Sequence, residues 1–190
     1  MSNPILAVSP GGIAAIVIGS ILTLFIVVAL ITYAVSFNAL NKAKLKVDSA
    51  LSGIDVMLEK RYDLLTKSIE VVKAYAKYES TTIHETIKSR TNLNEIMKFD
   101  GQLTSDFKGL KVVAEAYPTL LSANNYLELQ KQIADLEDNL AASKRLYNSN
   151  VTYLNELIVN FPTNLFARKY QKAEFYKIDD IKRRDVKIDL

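Results

Sequence analysis

Hydrophobic and polar residues change rhythm twice along this chain. From Ile13 to Val35 there are 23 consecutive residues without a charge, IAAIVIGSILTLFIVVALITYAV. As a helix rising 1.5 Å per residue this run is about 35 Å long, slightly more than the hydrocarbon core of a bilayer. It predicts a transmembrane helix over residues 13–37. A cleaved signal peptide fits less well, because it carries a basic start and an apolar stretch of roughly 7–15 residues. Nothing before Lys42 is charged except the amino terminus. A core helix that is apolar on every face needs a large protein around it.

Beyond the span the apolar positions alternate by three and four. Val47, Leu51, Ile54, Leu58, Leu65 and Val72 form one heptad seam, with Ile69 and Ala76 on its flank. No proline and only Gly53 intervene after the span, so one nearly continuous helix is expected from Ile13 to Lys77. Its part outside the membrane is a rod of roughly 60 Å. Glu79 to Thr82 read as a polar turn. Thr82 and Glu85 have the spacing of a capping box and open a second helix. Ile83, Ile87, Arg90, Ile96 and Met97 make its inner face imperfectly. The stretch MKFDGQLTSDF, Met97 to Phe107, interrupts the period, and Asp100-Gly101 favours a break or kink. The helix resumes through Leu110, Val113 and Ala114 and stops before Pro118, since the residue before proline is pushed out of the α region.

The third pattern is the most regular. Tyr126, Leu129, Ile133, Leu136, Leu140, Ser143, Tyr147, Asn150, Leu154 and Leu157 alternate three and four, with Val151 and Ile158 widening the seam. Asn125 and Glu128 suit its start, and Pro162 ends it after Phe161. The expected fold is all-α: a transmembrane helix continuing into a long antiparallel three-helix up-and-down bundle, or four helices if the second is broken. A two-stranded coiled coil is the alternative. The segments are a short external N-terminus (1–12), the span (13–37), the bundle (38–161) and a C-terminal tail (162–190). If the first helix leaves the bilayer, the second returns and the third leaves again, Pro162 sits roughly 60 Å from the membrane.

Charge adds direction. Lys42, Lys44 and Lys46 follow the span closely, and the N-terminal flank has no Lys or Arg. The positive-inside rule then places the N-terminus outside and the C-terminal domain in the cytoplasm. Within the span Gly11, Ala15, Gly19 and Thr23 recur every four residues, a small-residue stripe that suits close helix approach and hence a homo-oligomer. Chance spacing is the plainer explanation. The net charge of +3 on 24 basic and 21 acidic residues makes no concentrated basic face, so nucleic acid is not an expected partner. There is no cysteine, which removes disulfides and thiolate chemistry.

Candidate chemistry is sparse. The one histidine, His84, lies beside Glu85 but has Ile87 and Lys88 where further ligands would stand, and it reads as a solvated surface residue. Asp135, Glu137 and Asp138 read as a solvated acidic face, with both aspartates outside the seam. Arg61 and Ser68 fall on the first seam. Arg61 either joins a polar layer that fixes helix register, with Glu115 or Glu137 as partner, or snorkels to the surface. No phosphate loop, nucleophile elbow or Ser–His–Asp set is present, so neither an enzyme nor a cofactor is expected. The tail interleaves basic and aromatic residues. Phe166, Arg168, Lys169, Tyr170, Phe175 and Tyr176 are its contact candidates, for an anionic membrane or a partner helix. The expected distance from the chain's own membrane favours a second copy or a protein partner, and a solvated tail is the alternative.

Three separated stretches carry a family resemblance. They are DVMLEKRYDLLTKSIEVVKAYAKYE (Asp55 to Glu79), VVAEAYPTLLSANNYLELQKQIADLEDNLAASKRLYN (Val112 to Asn148) and FPTNLFA (Phe161 to Ala167). Together they resemble the LemA family, in order and over nearly the whole chain. The resemblance implies one N-terminal span, an external amino terminus and a cytoplasmic helical bundle, and it brings no catalytic or binding residues. Thr66 and Lys67 replace a proline and an asparagine common in the family, so the first helix should run straighter here. The tail lacks a proline that the family often has, so the resemblance does not fix its fold. The expected function is a membrane-anchored structural protein that self-assembles, or else an adaptor or sensor subunit for a signalling or proteolytic membrane partner.

Overall fold

The computed structural model describes residues 10–75 and 92–177. Four α-helices follow in order: α1 (Pro10–Tyr75), α2 (Leu93–Glu115), the single turn α3 (Pro118–Leu121) and α4 (Asn124–Val159). A 3₁₀ turn, Thr163–Phe166, comes next, and the chain continues without regular structure to residue 177.

α1 is one helix of 66 residues, about 100 Å long. It has two surfaces. From Ile13 to Val35 its large apolar side chains are exposed, and the segment is long and apolar enough to cross a membrane. From Ser36 onward the four-three pattern Ser36, Leu40, Ala43, Val47, Leu51, Ile54, Leu58, Arg61, Leu65, Ser68, Val72 turns one face inward, and all of these except half-buried Leu51 are buried. The helix passes through Thr66 and Lys67 without interruption, and Thr66 Oγ1 returns its hydrogen bond to Tyr62 O at 3.1 Å.

The expected all-α bundle is therefore present, but two elements differ from their reading. The second helix has no break at Asp100-Gly101: α2 runs unbroken through both. Its buried residues Ile96, Leu103, Leu110 and Ala114, with Asp100 and Phe107 between them, complete a four-three seam across the stretch read as an interruption. The N-cap of α2 is Asn92, whose side chain accepts from the Glu95 amide at 3.0 Å. The expected capping box at Thr82 and Glu85, and His84, lie outside the described residues.

The second difference is direction. Arg61 meets Glu137, Asn150 donates to Lys46 O, and Tyr33 meets Phe166, so α4 runs antiparallel to α1. Lys144 pairs with Asp100, and Glu115 lies near Tyr126, so α4 is also antiparallel to α2. The eight-residue connection 116–123 leaves α2 and α4 no other arrangement. It follows that α1 and α2 point the same way and that α4 descends toward the apolar segment. The three-helix path with a rising last helix is thus corrected, and Pro162 lies beside the end of the apolar run rather than roughly 60 Å away.

α4 closes the core with Tyr126, Leu129, Leu136, Leu140, Tyr147, Val151 and Leu154. It ends at Val159, two residues before the expected stop. There Thr163 Oγ1 donates to Leu157 O, a carbonyl that a longer helix would have bonded, and to Asn160 O, which also accepts from the Asn164 amide.

Candidate functional site

The most connected polar group among the described residues is Asp100. Its Oδ1 accepts from Arg61 NH1 at 2.8 Å. Its Oδ2 accepts from Tyr176 OH at 2.9 Å and also from Lys144 Nζ. Arg61 NH1 additionally reaches Thr104 Oγ1 at 3.1 Å, and NH2 pairs with Glu137 Oε1 at 2.6 Å. The Arg61 guanidinium sits 5.5 Å from the Phe107 ring centre, and Lys144 Nζ 5.1 Å from that of Tyr176. One layer thereby ties α1, α2, α4 and the tail.

The layer is mostly dry. The Arg61 and Asp100 side chains are 7% and 13% exposed, whereas Glu137 is 40% exposed. Ions removed from water in this way need multiple partners, and Asp100 has three donors. Arg61 Nε is buried with no acceptor among the described residues. Arg61 thus sits in a polar layer, and Glu137 is one of its partners. Glu115 is not: it lies near Tyr126 instead. Ser68, the other polar seam residue, is fully buried and returns its hydroxyl to Leu64 O at 2.7 Å.

The tail is held by an asparagine ladder on α4. Asn155 Nδ2 donates to Ala173 O at 3.0 Å, and its Oδ1 accepts from Ala173 N at 2.9 Å. Asn148 repeats the pattern with Tyr176, at 3.1 and 2.8 Å. The side-chain amide thus stands in for a peptide group in a strand ladder. The spacing is geometrically forced. Seven helical residues advance about 10.5 Å and three extended residues about 10 Å, so positions 155 and 148 match 173 and 176. Tyr147 OH adds a bond to Glu174 O at 3.0 Å, and Tyr170 OH one to Asn41 Oδ1 at 2.6 Å.

The tail candidates consequently have mixed fates. Tyr176 is buried, Phe166 packs edge-on against Tyr33 at 5.2 Å, and Lys169 lies 4.4 Å from the Phe37 ring centre. Arg168 and Phe175 are exposed. Residues 162–177 thus lie against α1 and α4 while leaving many side chains in solvent, and the rest of the tail lies outside the described residues. Gly11, Ala15, Gly19 and Thr23 all lie on the exposed apolar segment, and a Cβ added at Gly11 or Gly19 would meet nothing within 4 Å. Among the described residues no group of three His, Cys, Asp or Glu is placed to hold a metal ion.

Asp100, Lys144, Asn148 and Asn155 were not legible as site residues. Beside Gly101, Asp100 carries a local preference for a helix break. Its place four after Ile96 and three before Leu103, on the seam, was the available signal. The asparagines gave no such signal, since α4 carries several and only the tertiary structure shows that Asn148 and Asn155 face the tail.

Burial holds two tyrosine hydroxyls above their ordinary pKa. For Tyr126 desolvation dominates and Glu115 adds to it. For Tyr147 desolvation again comes first, then Asp48 and Glu174.

Comparison with known proteins adds a lineage. A family model described as the LemA family matches residues 50–190. "Protein LemA" of Metamycoplasma hominis is 27% identical over 158 residues, covering 78% of this chain and 72% of that one. "Magnetosome protein MamQ 2" of Paramagnetospirillum magneticum is 22% identical over 201 residues, covering 88% of this chain and 73% of its own. "Magnetosome protein MamQ" of Magnetospirillum gryphiswaldense is 25% identical over 79 residues, covering 40% and 29%.

Proposed function

This chain belongs to the LemA family, and we propose that it is a single-span membrane protein whose bundle self-assembles as a structural scaffold at the cytoplasmic face of a bacterial membrane. The observation that supports this reading is α1. A single helix carries both the bare apolar segment and the central seam of the bundle. Association of spans in lipid would therefore set the spacing and rotation of the bundles outside it. The open surface beside Gly11 and Gly19 suits such close approach. Lys42, Lys44 and Lys46 are exposed just past the apolar run, which by the positive-inside rule supports a cytoplasmic bundle. In this reading the polar layer serves register, not catalysis, and no cofactor is needed.

Mass photometry of the protein in lipid nanodiscs tests the assembly. Discrete multiples of the 21.3 kDa chain are expected, and a purely monomeric distribution would sink the scaffold reading. Orientation is checked separately. Val56→Cys, in a chain with no other cysteine, should react with an impermeant maleimide only after cells are opened.

A second reading, an adaptor, is favoured by Val112, Leu121 and Leu127, which are exposed at the end of the bundle far from the apolar segment. Crosslinking in cells separates the two. Homotypic products support the scaffold, and one recurrent heterologous product supports the adaptor.

A further inference from the structure

The chain reverses direction at the membrane-proximal end of the bundle. α4 descends to Val159, the turn at 160–167 follows, and the tail climbs back along Asn155 and Asn148. Depth is fixed by the Phe166 ring on Tyr33. Tyr33 lies two residues, about 3 Å, from Val35, the end of the apolar run. The turn therefore sits at the level where α1 leaves the apolar zone.

At that level the turn divides its apolar residues. Phe166 packs inward on α1, whereas Phe161 and Leu165 are 80% and 65% exposed. The charges closest to it in sequence are basic, with Glu156, Asp48 and Glu174 as the flanking acids. Residues 36–47 hold Lys42, Lys44 and Lys46 with no acid, and residues 160–173 hold Arg168, Lys169 and Lys172 with no acid. The Tyr170–Asn41 hydrogen bond places these two sets side by side. Two outward apolar side chains below a collar of cations are the chemistry of an interfacial lipid contact.

We propose that this turn is a second membrane contact, inserting Phe161 and Leu165 into the headgroup–acyl boundary of the leaflet that α1 leaves, with Arg168 and Lys172 on anionic headgroups. The proposal rests on α1 being a membrane span. With the turn docked, the bundle meets the bilayer at two points, and its tilt is fixed rather than free about the emerging helix.

The test uses the full chain with single introduced cysteines carrying an environment-sensitive fluorophore. Asn164→Cys is exposed within the turn and leaves Phe161 and Leu165 in place. Leu24→Cys reports on the span and Val112→Cys on the distal end. Each is reconstituted in phosphatidylcholine vesicles, with and without phosphatidylglycerol, whose acyl chains carry bromine near the headgroup in one preparation, to report on position 164, and near the terminal methyl in another, to report on position 24. Bromine should quench positions 24 and 164 but not 112, and more strongly at 164 when phosphatidylglycerol is present. Adding Phe161→Ser and Leu165→Ser should reduce quenching at 164 to the level at 112. Arg168→Gln with Lys172→Gln should abolish the phosphatidylglycerol increment. Quenching at 24 with position 164 matching 112 overturns the proposal while leaving the span intact. A blue-shifted emission at 164 without bromine quenching means that protein covers the turn, and overturns it in favour of a second copy. Absence of quenching at 24 removes the span and the proposal together.

Discussion

Asp100 accepts hydrogen bonds from Arg61, Lys144 and Tyr176, which come from two long helices and the tail. Removing it leaves two cations in a poorly solvated layer. Asp100→Ala should cost about 3 kcal/mol by urea unfolding in detergent, because breaking a buried pair leaves an uncompensated charge. A double-mutant cycle between Arg61 and Asp100 should give a coupling above about 1 kcal/mol, whereas Arg61 with Glu115 should be additive within about 0.5 kcal/mol. The tyrosines set an alkaline limit. Tyr147 is neutral when protonated, and its folded pKa is raised above the ordinary value of 10.0. Its contribution is therefore complete below about pH 10 and is lost as pH climbs from there toward the folded value. Tyr147→Phe should show a shallower loss of stability above pH 10 than the parent, read from unfolding midpoints across that window. At this scale the sequence marked Arg61 as a polar seam residue but not its main acceptor. Choosing among Asp100, Glu115 and Glu137 requires knowing which turn of each helix faces Arg61.

Among the elements, α4 does the most. One face carries the apolar seam and another the asparagine ladder, so the same helix closes the core and binds the tail. Leu140 is 1% exposed, and Leu140→Ala should lower unfolding stability by about 2–5 kcal/mol. Asn155→Ala removes both bonds to Ala173. The expected outcome is selective loss of hydrogen-exchange protection at the Ala173 amide, with protection in the α4 core unchanged. Heptad spacing alone located α4 to within two residues at each end, because apolar burial is written in residue type. The same spacing is masked in α2, where Asp100-Gly101 carries a local preference for a break. Helix propensity is worth about a kilocalorie per residue for glycine, and the packing of Ile96, Leu103, Leu110 and Ala114 outweighs it.

Over the whole molecule, the long helix α1 sets the frame. If span and rod are one rigid element, spin labels at Val28→Cys and Val56→Cys should lie about 42 Å apart with a narrow distribution by pulsed dipolar spectroscopy in lipid. A broad or shorter distribution would place a hinge between Val28 and Val56. The sequence by itself determined the apolar run, the continuity of α1 and the helical seams, because each depends on periodicity and on the absence of breakers within one segment. Only the tertiary structure decided the direction of α4, the centring of the polar layer on Asp100 and the return of the tail along Asn155 and Asn148. Those depend on which helix faces meet across long stretches of chain, and local periodicity is the same whether a helix points toward the membrane or away from it.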